Sequence, residues 1–231
     1  MIELREVGVT VPGGAPGTPP RALLTDLTLT LTEQRIAVIG ANGSGKSTLL
    51  RLLNGLVLPS RGTVLVDGLD TATQGSAVRR RVGFIFTDPL AQLVMPTPIE
   101  DVELSLRRTV PRAGRRARAA QLLDAYGLGH VQHSSVYDLS GGERQLVALV
   151  SVLAVEPAVV VADEPTTLLD LRNRNRIRDE LGRLDQQVVI ATHDLELAED
   201  ADRVLVVEGG RIVADGPPAE AVAAYVELVR R

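Results

Sequence analysis

The apolar residues of this chain recur with two spacings, which predict short strands and amphipathic helices. Alternation with period two predicts half-buried strands over residues 2–9 and 27–31. Continuous apolar runs predict buried strands at residues 36–39, 82–86, 159–162 and 188–191. Helical spacing predicts helices over residues 112–126, 141–155 and 171–184 and from 218 onward. Because buried strands alternate with helices, we predict an α/β fold with a mainly parallel central sheet covered on both faces.

A glycine-rich turn joins the strand at 36–39 to a helix whose apolar face begins at Leu49. From Gly40 to Ser47 its residues fit G-x-x-x-x-G-K-S/T, and this phosphate-binding pattern requires a strand before it and a helix after it. Glycine lets backbone N–H groups converge on an anion, and the helix directs its positive dipole end there. Lys46 is expected to reach the β- and γ-phosphates, and Ser47 to ligate Mg²⁺. The residues predicted to bind a nucleotide here are Gly40, Asn42, Gly43, Ser44, Gly45, Lys46, Ser47 and Thr48.

Composition narrows the possible functions. The absence of cysteine excludes disulfides and thiolate metal sites and is typical of a reducing compartment. A net charge of −4 argues against a nucleic-acid binder driven by overall charge. Of the 25 lysine and arginine residues only Lys46 is a lysine. A single lysine placed at random among them would fall at this position about once in 25 trials, so the phosphate role is favoured over chance.

A second glycine-containing helix start follows at Ser140-Gly141-Gly142-Glu143. Ser140 and Glu143 have the spacing of a capping box, and a simple cap is one interpretation. Glycine in the first turn of a helix costs stability, which favours a close approach of another group to the backbone. Bare amides and a serine hydroxyl at a helix start predict a second anion site.

Two apolar strands end in residues with catalytic chemistry. The strand at 159–162 leads into Asp163 and Glu164. Asp163 fits a carboxylate in the Mg²⁺ shell, and Glu164 fits a general base for water. His193 follows the strand at 188–191, where a γ-phosphate contact and a purely structural role are both open.

Two runs of arginine need an interpretation. We interpret them as solvated helix surface rather than nucleic-acid contacts, because no aromatic residues lie between them to stack on bases. The runs are Arg107, Arg108, Arg112, Arg115, Arg116 and Arg118, and Arg172, Arg174, Arg176 and Arg178.

The order of these motifs resembles the ATP-binding cassette (ABC) ATPases. The phosphate loop, the LSGGE sequence at 139–143, the strand ending in Asp163-Glu164, Leu168-Leu169-Asp170 and His193 follow one another along essentially the whole chain. The resemblance implies one P-loop ATPase domain over residues 1–231. It would contain an N-terminal antiparallel β subdomain and an inserted helical subdomain, over about residues 88–155, that carries LSGGE.

The resemblance also implies roles and partners. ATP and Mg²⁺ would be held between two subunits in a head-to-tail dimer, formed with an identical chain or with a paralogue. Lys46, Ser47 and Asp163 of one subunit would face Ser140 and Gly142 of the other. Glu164 would be the catalytic base, with Lys46 and His193 on the γ-phosphate, and Asp170 would lie at the dimer seam.

The segment from Phe86 to Val102 is similar to the energy-coupling-factor branch of that family. Asp88-Pro89, Gln92-Leu93, Thr97 and Glu100-Asp101-Val102 have the spacing of that branch, and Thr-Asp-Pro is most like its biotin-uptake ATPase. Thr87 stands where the family has a glutamine in the Mg²⁺ shell, so we expect a bridging water rather than a direct bond. Val11 stands where the family has an aromatic residue on adenine, so we expect either loose base selectivity or packing of adenine on aliphatic carbon alone.

The branch implies an importer motor on the cytoplasmic face of the cell membrane, with a transmembrane coupling subunit and a substrate-binding membrane subunit as partners. We expect the coupling contact to be an apolar groove around Val94-Met95-Pro96 and the helix from Ile99. The cargo would be biotin. Cobalt, nickel, another vitamin, or the cargo of another ABC transporter are the alternatives. A non-transport role in translation or DNA repair is disfavoured, because such proteins usually have two cassettes or a long coiled-coil insertion.

Overall fold

The computed structural model describes residues 1–14 and 18–230 and contains two β-sheets with helices around them. The strands are β1 (Ile2–Val11), β2 (Arg21–Leu31), β3 (Arg35–Ile39), β4 (Arg61–Val66), β5 (Leu69–Asp70), β6 (Val82–Ile85), β7 (Val159–Asp163), β8 (Gln187–Ala191), β9 (Arg203–Glu208) and β10 (Arg211–Gly216). The helices are α1 (Lys46–Leu53), α2 (Gly75–Arg81), α3 (Pro98–Ser105), α4 (Arg112–Ala125), α5 (Gly141–Leu153), α6 (Leu171–Gly182), α7 (Leu195–Glu199) and α8 (Pro218–Val229). Short 3₁₀ turns lie at Pro89–Ala91, Leu106–Arg108 and Gly129–Val131.

The central sheet has the strand order β10-β9-β3-β8-β7-β6. Its β6, β7, β8, β3 and β9 run parallel, while β10 pairs antiparallel with β9 at the edge. The second sheet, in the order β2-β1-β4-β5, is antiparallel. The predicted α/β class, with a parallel sheet and an N-terminal antiparallel unit, is confirmed.

Apolar side chains on both faces of the parallel strands explain this arrangement. One core lies between the two sheets and includes Leu49 and Leu53 of α1. A second core lies on the other face and includes residues of α3, α4 and α5, such as Val102, Leu123 and Leu146. The carboxyl ends of the parallel strands therefore meet at one edge, beside the start of α1.

The connection from β6 to β7 is built of helices and turns; no strand occurs among its described residues. This is the segment for which we predicted an inserted helical subdomain. Three elements had no signal in the sequence, namely α2, α7 and the two-residue β5. Seven, five and two residues are too few for a period to appear.

Two polar side chains, the half-buried Gln92 and the buried Asp101, hydrogen-bond the start of this segment to α5. The Gln92 side chain accepts from the Phe86 N–H (3.1 Å) and donates to the Ala148 carbonyl (3.0 Å). Asp101, only 5% exposed, accepts from the N–H groups of Val94 and Met95 (2.9 and 3.1 Å) and from the Ser151 hydroxyl (2.8 Å). Since unpaired buried polar groups are costly, these bridges hold the segment and α5 together.

No helix in the described part of the chain is both long enough and apolar enough to span a membrane.

Candidate functional site

The turn between β3 and α1 has the backbone of an anion cradle. Gly40 has φ = 150°, and a Cβ there would lie 2.1 Å from the Val207 carbonyl oxygen. Gly45 precedes α1 with φ = 117°, and no side chain caps this helix. A Cβ on Gly43 would meet nothing within 4 Å. The uncapped helix start therefore leaves backbone N–H groups for a ligand, as an anion site requires.

Lys46 is buried at this turn, with 6% of its surface exposed. Its Nζ donates to the carbonyl oxygens of Gly40 (2.8 Å) and Ala41 (3.2 Å) and lies 3.8 Å from Glu164 Oε1. The cationic head therefore lies between the glycine-rich turn and the end of β7.

Ser47 and Asp163 meet as the sequence predicted. The Ser47 hydroxyl donates to Asp163 Oδ1 at 2.8 Å. Asp163 is 2% exposed, and its burial raises its pKa; the Ser47 hydrogen bond and the nearby Arg51 oppose that rise. The described residues hold no cluster of three or more His, Asp or Glu side chains for a metal. One hydroxyl and one carboxylate fit Mg²⁺, which takes few protein oxygens and completes its shell with water and substrate phosphate.

Thr87, for which we expected a water-bridged contact to Mg²⁺, lies at the same strand edge. Its Oγ1 donates to the backbone carbonyl of Asp163 at 2.8 Å. In this arrangement Thr87 joins the end of β6 to the end of β7. It thereby positions the Asp163 backbone.

Glu164 and His193 are hydrogen-bonded to each other. His193 Nδ1 lies 2.6 Å, and its backbone N 3.3 Å, from Glu164 Oε2, which also accepts from the Thr167 hydroxyl (3.3 Å). Glu164 has φ = 52°, a left-handed conformation that costs a non-glycine residue about 1–2 kcal/mol. Such strain persists where surrounding structure fixes it, and it is common at active sites.

Lys46, Ser47 and Glu164 line a cleft of about 380 Å³, whereas Asp163, Thr87 and His193 are not among its described lining residues. Its lining residues are Arg21, Ala22, Leu23, Asn42, Gly43, Gly45, Lys46, Ser47, Thr48, Glu164, Gly209 and Gly210. The sequence did not indicate that residues 21–23 and the Gly209-Gly210 turn line the cleft, because only tertiary folding brings them to the phosphate loop. Val11 does not line the cleft, but it pairs across the ladder with Arg21.

The LSGGE corner lies outside this cleft. Ser140 caps α5 in a complete capping box with Glu143, whose N–H donates to the Ser140 hydroxyl at 3.3 Å. A Cβ on Gly142 would lie 2.2 Å from Cγ and Oδ1 of Asn173 on α6. The absence of a side chain at Gly142 therefore has a packing reason within the chain. A Cβ on Gly141 would lie 3.6 Å from its nearest packing neighbour, Leu169, so packing within the chain does not require a glycine there.

Asp170 belongs to this second cluster. Its carboxylate caps α6 by accepting from the Asn173 N–H at 2.8 Å. Ser140, Gly141, Gly142 and Asp170 are absent from the described lining of the cleft in their own chain. The chain thus presents two separate candidate anion sites.

The surface near Val94 differs from the apolar groove that we expected there. Ile99 and Val102 are buried in the core, with 2% and 0% exposed. Exposed apolar surface remains at Val94, which is 70% exposed. Beside it lies a cleft of about 550 Å³ lined mainly by charge, namely Met95, Glu100, Glu103, Leu104, Arg107, Arg112, Arg115 and Arg116.

Most arginines of the second run have partners inside the chain. Arg174 pairs with Asp194, Arg176 donates to the Tyr126 carbonyl, and Arg178 pairs with Asp200 and Glu196. These contacts agree with the interpretation of α6 as a structural surface helix.

Comparisons with known proteins agree with this geometry. The family model described as ABC transporter matches residues 24–167. A chain from Deinococcus radiodurans, named as an ABC transporter ATP-binding protein without a cargo, is 49% identical over 98% of both chains. The biotin transport ATP-binding protein BioM of Rhizobium etli is 44% identical over 90% of this chain and 93% of its own, which confirms the resemblance to a biotin-uptake ATPase. A dimeric ATP-binding cassette solved in a post-hydrolysis state with ADP and Pi has a TM-score of 0.85 and 29% identity, over 94% of this chain and 99% of that one.

Proposed function

Because this chain belongs to the ABC transporter family and is an ATPase, we propose that it is the motor subunit of an energy-coupling-factor importer, with biotin as the cargo. The observation that carries the ATPase assignment is the meeting of Lys46, Ser47, Asp163 and Glu164 at one strand edge. It joins a phosphate cradle, a Mg²⁺-type oxygen pair and a base in one place.

The roles of the residues follow from their positions. Lys46 and the N–H groups of the α1 start bind the phosphates. Ser47 and Asp163 would hold Mg²⁺, which neutralises charge on the phosphate oxygens when it is bound. Glu164 accepts the proton of the attacking water, while His193 holds its carboxylate in place.

A dimer would complete the site. Ser140, Gly141, Gly142 and Asp170 lie away from the cleft of their own chain, and a head-to-tail partner would bring an LSGGE corner to each phosphate group. A similar chain is dimeric with ADP and Pi, which supports this arrangement. Phosphate held from both sides binds the closed dimer better than the open chains, so hydrolysis favours opening.

The decisive experiment is Glu164→Gln. Loss of the general base is expected to lower the ATPase rate at least about 100-fold, while the variant forms dimers with ATP and Mg²⁺ in size-exclusion chromatography coupled to light scattering.

Glu156→Gln is the matched control, since Glu156 also has a left-handed backbone, φ = 52°, and lies outside the cleft. It is expected to keep the wild-type rate. A Glu164→Gln protein that stays monomeric with ATP at all concentrations would contradict the two-sided site.

The membrane and cargo parts of the proposal rest on other observations. Similarity to BioM supports biotin, and the exposed Val94 beside the charged cleft offers a surface to a transmembrane partner at the cytoplasmic face. Uptake of labelled biotin should be lost in cells that carry Glu164→Gln and persist with Glu156→Gln. Loss of cobalt or nickel uptake with biotin uptake intact would favour the metal-ion alternative.

A further inference from the structure

The cleft has a wall that the phosphate loop does not supply. Besides Glu164 at the end of β7, its remaining lining residues are Arg21, Ala22 and Leu23 at the start of β2, and the Gly209-Gly210 turn after β9. When the loop and the α1 start take the phosphates, this wall is what remains for the ribose and the base. This inference therefore rests on the proposed function and refines its nucleotide site.

Backbone contacts fix this wall relative to the phosphate loop. The Gly210 N–H donates to the Ser44 carbonyl, and the Gly210 carbonyl accepts from the Thr25 N–H, both at 2.8 Å. Gly210 has φ = 77°, and a Cβ there would lie 2.5 Å from the Leu23 carbonyl oxygen. The start of β2 is thus joined to the phosphate loop through one glycine, which holds the backbone of this wall beside the loop.

The strand register places Arg21 beside Val11. The two residues are directly paired in the antiparallel β1–β2 ladder. Paired residues project to the same face with Cβ atoms roughly 4.5–5.5 Å apart. Val11 is the position for which the family resemblance indicates a base contact, and here it carries an aliphatic side chain.

No aromatic side chain is available to the base within the chain. The sequence has two Phe, three Tyr and no Trp, and none of these five lines the described cleft. Phe84 and Phe86 pack against each other, with ring centroids 4.7 Å apart. The Arg21 side chain is exposed and has no hydrogen-bond or ion-pair partner among the described residues.

We propose that the Arg21 guanidinium lies flat against the face of the nucleotide base and supplies the stacking surface that this chain lacks in aromatic form. A guanidinium is planar and stacks on aromatic rings and bases. Face-to-face contact does not read the hydrogen-bonding edge of a base, so Arg21 contributes equally to adenine and guanine nucleotides.

The experiment measures binding of ATP, GTP and inorganic tripolyphosphate, with Mg²⁺, by calorimetry in a Glu164→Gln background that prevents turnover. Arg21→Ala should weaken ATP and GTP binding by the same factor, about 5- to 30-fold, and leave tripolyphosphate within about twofold. Arg118→Ala, which removes an exposed arginine of α4 far along the chain, is the matched control and should change none of the three.

Two further substitutions show whether Arg21 acts through its planar side chain or through its charge. Arg21→Tyr should restore ATP binding nearly to the parent value, while Arg21→Lys should resemble Arg21→Ala. An equal loss for tripolyphosphate would place Arg21 on the phosphates and overturn the proposal. Unchanged ATP binding in Arg21→Ala, or rescue by lysine but not tyrosine, would also overturn it. If the parent protein binds none of the three ligands, the proposed function itself fails, and that outcome is distinct from the others.

Discussion

The two helix starts that we assign to phosphate, those of α1 and α5, are built in opposite ways. The start of α1 has a left-handed glycine, no side-chain cap and no acidic residue in its first turn. The start of α5 has a full capping box and an acidic residue, Glu143, in its first turn. One start is open and faces a cation, and the other is closed by its own side chains.

The difference determines what each start does before a ligand arrives. At α1 the N–H groups are not used by side chains, and Lys46 supplies positive charge. At α5 the Ser140 hydroxyl donates to Glu143 Oε2 at 2.6 Å, which holds the pKa of Glu143 below its ordinary value. Glu143 is therefore ionised at neutral pH and repels an approaching phosphate.

The largest effect that would test this comparison is expected from Gly142→Ala. Its new methyl group would lie 2.2 Å from Asn173 in the same chain. In the proposed dimer it would also crowd the corner that faces the partner's phosphate. We expect an ATPase loss of about 100-fold, together with a lower Tm. In the double variant with Asn173→Ala the Tm should recover, because the clash is gone, while ATP-dependent dimerisation should stay impaired.

Gly141→Ala is the control for this double-mutant cycle of Gly142 and Asn173. Gly141→Ala meets no atom closer than 3.6 Å, so its Tm should match the parent. If Gly142→Ala/Asn173→Ala dimerises with ATP as well as Asn173→Ala alone, the glycine serves packing within the chain, and the α5 start loses its assigned role.

A smaller effect is expected from Glu143→Gln. Glutamine keeps the capping geometry but removes the negative charge, which costs about 0.3–1 kcal/mol at a helix N-terminus. Stability should therefore fall slightly at neutral pH, and the difference from wild type should vanish on acidification through the lowered pKa of Glu143.

Dimerisation should respond in the other direction. Without the repelling carboxylate, the ATP concentration for half-maximal dimer in light scattering should fall a few fold. Ser140→Ala, which removes the cap but keeps the charge, is the comparison variant. A weaker dimer in Glu143→Gln would show that the carboxylate is needed at the dimer seam. It would contradict the claim that Glu143 repels phosphate at the start of α5.

Some residues of the site were predictable from the sequence and others were not. Their motifs alone assigned Ser47 and Asp163 to one Mg²⁺ site, because the phosphate loop follows one buried strand and Asp163 ends another. In the structure Ser47 Oγ lies 2.8 Å from Asp163 Oδ1. Gly210 and Arg21 carried no motif, since their relation to the loop arises from a tertiary turn. The Thr87 hydroxyl was expected near the metal, and its hydrogen bond to the Asp163 carbonyl was not predicted, because no pattern of side chains reveals a backbone acceptor.

The hydrogen bonds of the Gln92 and Asp101 side chains connect the start of the helical segment to α5. Gln92 joins the Phe86 backbone to Ala148, and Asp101 joins the Val94 and Met95 backbone to Ser151. Ala148 and Ser151 lie in the second half of α5, whereas Ser140 lies at its beginning. Eleven residues of helix separate Ser151 from Ser140, about 16 Å. A displacement of the Val94-Met95 segment would therefore reach Ser140 as a tilt of α5, since Asp101 holds that segment to the far end of the same helix.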